Sequence, residues 1–72
     1  MRFAVVIEKG DDSFGAYVPD LPGCVAVAAT EGDVRRVIAE AIEFHLEGMR
    51  ATGEPIPEPH STVEYVEVRS AA

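Results

Sequence analysis

One stretch constrains this chain more than any other. Across residues 30–53 apolar side chains recur at helical spacing, and turn residues on both sides break the remainder into short runs. Val34, Val37, Ile38, Ala41, Ile42, His45 and Met49 fall on one stripe at about 100° per residue, with Arg36, Glu40, Glu43, Glu47 and Arg50 on the other side. Thr30 suits the N-cap: its hydroxyl accepts from the N–H of Asp33, and the Asp33 carboxylate is expected to reach back as in a capping box. Glu31 and Asp33 complement the positive end of the helix dipole. Gly53 suits the left-handed position after the last turn, and Pro55 cannot continue the helix.

The flanking runs read as strands. Residues 2–8 (RFAVVIE) are rich in β-branched and aromatic residues, and the turn-forming residues 10–13 lead into residues 14–18 (FGAYV) as a hairpin. Residues 19–23 (PDLPG) interrupt the ladder because neither proline donates a backbone N–H. Residues 24–29 (CVAVAA) form a third short strand, residues 54–59 (EPIPEP) an extended connector, and residues 62–69 (TVEYVEVR) a fourth strand. The expected order is β-β-β-α-β: a single α+β domain over residues 1–72, with one helix packed on one face of an antiparallel sheet.

A chain of 72 residues buries only about 60% of its unfolded surface, so its own core leaves a thin margin. A single cysteine, Cys24, excludes an internal disulfide, and His45 and His60 lack metal-ligand spacing, so no metal and no cofactor is expected. Oligomerisation is the remaining means of support. Residues 2–8 are apolar on both parities, Phe3, Val5 and Ile7 against Ala4 and Val6, and residues 24–29 repeat this with Val25 and Val27 against Ala26 and Ala28. A sheet with one wet face alternates more cleanly, so Ala4, Val6, Ala26 and Ala28 are taken as the face of a homo-oligomer, most simply a homodimer.

The formal charge of −7 opposes binding to DNA or RNA, and the arginines are too scattered to form a basic stripe. No apolar run approaches the roughly 20 residues that span a bilayer, and no signal-peptide pattern follows Arg2, so a cytoplasmic protein is expected. There is no phosphate-binding glycine loop, no zinc-protease helix and no nucleophile elbow, which points away from an enzyme. His45 is expected to face the sheet as a half-buried imidazole, and His60 to lie exposed after the connector.

Residues 17–24 (YVPDLPGC), the helix body with Glu40-Ala41-Ile42 and His45-Leu46-Glu47, and the exit GEPIPEP over residues 53–59 together resemble the HicB-like antitoxin family. The resemblance implies a β-β-β-α-β layer akin to a shortened ribonuclease-H-like or double-stranded-RNA-binding-like fold, without catalysis of its own. It also implies that the protein blocks a small HicA-type, mRNA-cleaving toxin by contact. Many members continue into a DNA-binding module. This chain stops at Ala72, so operator binding is not expected of it. Within the motif, Tyr17, Asp20, Leu21 and Pro22 are candidates for the partner contact, while Pro19 and Gly23 shape the corner and Thr30 and Gly53 cap the helix. Asp20 and Leu21 serve either that contact or the corner alone. The alternative to an antitoxin is a stand-alone oligomeric scaffold or sensor.

Overall fold

The computed structural model describes residues 1–70. Three strands precede one helix: β1 (Val6–Lys9), β2 (Phe14–Tyr17), β3 (Val25–Ala28) and α1 (Glu31–Thr52). The sheet order is β1-β2-β3 with both pairings antiparallel. Residues 10–13 close the first hairpin, the N–H of Gly10 donating to the carbonyl of Ser13 at 2.8 Å. The α+β architecture with one helix on one face is the one expected.

The fourth strand is not formed. Among the described residues, 62–69 join no ladder, and all of them are exposed. The alternation of TVEYVEVR satisfies the local requirement for a strand. A strand also needs a neighbour that takes its N–H and C=O groups, and among the described residues none pairs with this segment.

The helix ends follow local chemistry. The Thr30 hydroxyl accepts from the N–H of Asp33 at 3.1 Å, and Thr30 is extended, with φ −128° and ψ 159°. The reciprocal half of the capping box is not made: the Asp33 carboxylate turns instead to Arg36, 3.8 Å away. At the other end Gly53 adopts φ +77°; its N–H donates to the Arg50 carbonyl (3.2 Å), and that of Glu54 donates to Met49 (2.9 Å). This pair of bonds is the Schellman arrangement, which satisfies two carbonyls of the last turn.

Val34, Ile38 and Leu46 of α1 bury against Ala16, Val18, Leu21, Cys24 and Ala26. Phe3, Val5, Ile7, Phe14, Ala41, Ile42, Met49 and Ile56 pack around this core. The helix lies mainly over β3 and β2 and touches β1 least. Small residues on β3 permit this close approach. Leu46 occupies the core, whereas His45, one residue earlier on the helix, is half-buried at its margin.

The register shows which parity faces the helix. Ile7, Ala16 and Ala26 form one cross-strand row and Lys9, Phe14 and Ala28 another, both on the helix side; Val6, Tyr17 and Val25 form a row on the open face, where Val27 also lies. Of the four residues assigned to an oligomer face, Ala26 is buried under α1 and Ala28 is packed against the same core. Val6 does look out from the sheet, and Ala4, beside the N-terminal end of β1, is half-buried. Both parities of these strands are apolar, so alternation alone carried no information about which side the helix would choose.

Candidate functional site

The corner between β2 and β3 consists of two successive tight turns. The N–H of Leu21 donates to the carbonyl of Val18 (3.1 Å), and the N–H of Cys24 donates to that of Leu21 (3.0 Å). Pro19 and Pro22 each stand second in their turn, where a fixed φ near −65° is already correct. Gly23 stands third in the second turn with φ +85°, the left-handed geometry that a Pro-Gly turn requires. A Cβ at Gly23 or Gly53 would meet no atom within 4 Å, so the cost of substitution lies in the backbone alone. Gly23→Ala and Gly53→Ala are each expected to lower stability by about 1–2 kcal/mol, read as a drop in thermal midpoint with the helical circular dichroism retained.

These turns fold Leu21 inward, where it is one of the two most completely buried side chains, and bring Asp20 beneath residues from the other end of the chain. Asp20 is only 5% exposed, yet every demand of its carboxylate is met. Oδ2 accepts from the backbone N–H groups of His60 and Ser61, each at 2.9 Å, and Oδ1 accepts from the Ser61 hydroxyl at 2.7 Å. The His60 Nε2 lies 3.2 Å from Oδ1. The Ser61 hydroxyl and amide, with the His60 amide and ring, hold the Asp20 carboxyl below its ordinary range, against the opposing effect of burial. Burial also pushes the Cys24 thiol up, as suits a buried, uncharged thiol.

Asp20 and Leu21 are therefore spent inside the fold. Of the four residues considered for a partner contact, Tyr17 and Pro22 remain accessible. Sequence reasoning missed Ser61 and His60 as partners of Asp20. They lie 40 and 41 residues away, with no spacing to betray them. The only available signal was a carboxylate in a corner flanked by apolar residues, which needs donors from somewhere.

Among the described residues, several surfaces remain open, and three of them carry exposed apolar side chains. On the sheet face away from α1, Tyr17 stands beside Val25 and Val27, which are 63% and 70% exposed. Between α1 and the edge strand β3, Phe44, His45, Val37 and Ala41 line a shallow cleft with Cys24 and Val25. Between α1 and β1 an open groove of about 710 Å³ is lined by Val5, Ile7, Phe14, Ile38, Ala39 and Ile42, with Lys9, Glu31, Arg35 and Tyr65 around it. Among the described residues, no helix is long and apolar enough to cross a membrane.

Comparison with known proteins finds relatives in a phage, an archaeon and a bacterium. The chain is 35% identical over 66 residues to a protein of Haemophilus phage HP1 described as an uncharacterized 14.9 kDa protein in the rep-hol intergenic region. That alignment covers 92% of this chain but 50% of the phage protein, so the chain spans half the length of that relative. It is 44% identical over 48 residues to a UPF0150 protein of Archaeoglobus fulgidus, covering 65% of this chain and 70% of the relative. A UPF0150 protein of Helicobacter pylori is 39% identical over 51 residues, 71% of each chain. No solved structure matches. The family model for the HicB-like antitoxin of bacterial toxin–antitoxin systems matches residues 3–70, from just ahead of β1 to the last described residue, and the chain belongs to that family.

Proposed function

We propose that this protein is a non-enzymatic inhibitor that neutralises a small HicA-type, mRNA-cleaving toxin by direct contact in the cytoplasm, and that it acts as a homo-oligomer. The observation that carries this reading is the family match over residues 3–70. The surface suits the role. A toxin that grips RNA presents cationic groups, and a partner of net charge −7 attracts and orients it on encounter. The open sheet face with Tyr17, Val25 and Val27 adds exposed apolar area of the kind that anchors protein contacts.

Co-expression with a HicA-type toxin from the same genome tests the reading. The wild-type chain is expected to restore growth and to co-purify with the toxin. Tyr17→Ala is expected to weaken capture about 30-fold, as loss of a central aromatic anchor does. The double change Val25→Lys and Val27→Lys sets positive charge against a cationic partner and is expected to abolish capture. Both valine side chains point into solvent in the single chain, so its helical spectrum should persist. A wild-type protein that leaves the toxin active overturns the proposal.

The second reading, a stand-alone oligomeric scaffold, is favoured by the unpaired segment 62–69. It predicts self-association without any toxin contact.

A further inference from the structure

Phe44 stands apart from the other two phenylalanines. Phe3 and Phe14 pack against the core, whereas Phe44 is 79% exposed on α1. It is not an isolated surface ring. With Val37, Ala41 and Val25, which is itself 63% exposed, it lines the shallow cleft of about 580 Å³ between α1 and β3, together with Cys24 and His45. Val25 also belongs to the open sheet face, where it is the cross-strand partner of Tyr17. Apolar surface therefore continues from that face round the free edge of β3 and onto the helix.

Carboxylates dominate the surroundings of the ring. Glu40 and Glu47 stand at i−4 and i+3 from Phe44, the positions that share its helix face. Among the described residues Glu47 makes no ion pair, and Glu40 has only Arg36, at 3.4 Å, which also lies 3.8 Å from Asp33. Arg50 stands about 120° round the helix from Phe44. The chain's own C-terminal segment follows the opposite flank of the helix: residues 61–63 share a cleft with residues 2–4 ahead of β1, and Tyr65 lines the groove between β1 and α1. A second copy is opposed by charge, since it brings the same net −7.

We propose that this cleft is the docking site for a basic side chain of the toxin. Its aliphatic stem lies over Val25, Val37 and Ala41, and its cationic end rests on the Phe44 ring between Glu40 and Glu47. The proposal rests on the antitoxin reading above and adds to that contact a part that lies off the open sheet face. An arginine or lysine answers both halves of the site, because its stem covers apolar surface while its head carries the charge. The face of an aromatic ring attracts a cation, and the two carboxylates add to that attraction and speed encounter. The result is an aromatic anchor at the centre of a charged rim, the arrangement in which a few residues carry most of the binding energy.

Calorimetry of the full chain with a HicA-type toxin from the same genome, at low and high salt, tests the proposal. Phe44→Ala is expected to weaken binding about tenfold. The helical circular dichroism should persist, because the ring is mostly in solvent. Glu40→Gln combined with Glu47→Gln is expected to weaken binding about fivefold at low salt and to flatten its salt dependence. The methyl signals of Val37 and Ala41 should shift as toxin is added. Toxin binding that survives Phe44→Ala at wild-type strength overturns the proposal and leaves the antitoxin reading standing. Loss on Phe44→Ala with the double glutamine variant at wild-type strength overturns the basic occupant. A change in sedimentation on Phe44→Ala without toxin assigns the cleft to a second copy and overturns it as well. A wild type that binds no such toxin overturns both this proposal and the reading it rests on.

Discussion

Leu21→Ala is expected to lower the unfolding free energy by about 2–5 kcal/mol, from lost transfer energy and the cavity left behind. Leu21 is almost completely buried in the cluster that includes Val18, Val34 and Ile38. A chain of 72 residues has a total stability of only about 4–11 kcal/mol. One substitution in the corner motif therefore removes a large share of the margin, and at the upper end leaves the chain unfolded at growth temperature. Urea denaturation followed by circular dichroism measures it directly. Pro22→Ala, one residue away and exposed, serves as the control and should change stability far less. A near-neutral Leu21→Ala would mean that Leu21 is not the core residue its burial indicates.

The second large effect is at Asp20. Asp20→Asn keeps the shape but discards the charge, and its amide group places hydrogens where one carboxylate oxygen had been accepting bonds. The expected result is release of the segment that begins at His60: the amides of His60 and Ser61 should exchange at the rate of unstructured chain, while those of α1 stay protected. Ser61→Ala, which removes one of the three donated bonds, should give an intermediate acceleration. Acid should mimic the substitution. The folded carboxyl titrates below its ordinary value, so the folded state binds this proton less readily than the unfolded state does. The stabilisation is therefore complete at neutral pH, persists down to about the ordinary Asp value of 3.9, and disappears as pH falls through the lower folded value. The Ser61 amide shift followed through an acid titration reports the transition. A midpoint above that of a free Asp would contradict the assignment.

The helix and its caps, the four-residue hairpin loop and a corner at Pro19–Gly23 were legible in the sequence because each rests on contacts within about four residues. Thr30 and Gly53 mark the ends of α1 through their own hydroxyl and backbone freedom, and both serve as expected. What the tertiary structure alone decided is non-local. The helix took the small side of β3, Ala26 and Ala28, and left Val25 and Val27 in solvent, a choice hidden by strands apolar on both parities. Asp20 found its donors at His60 and Ser61, which turned a candidate contact residue into the clamp on the far end of the chain. Residues 62–69 show the limit most plainly: alternation confers the capacity to be a strand, but pairing belongs to two strands at once, and only the assembled edge determines whether that capacity is used.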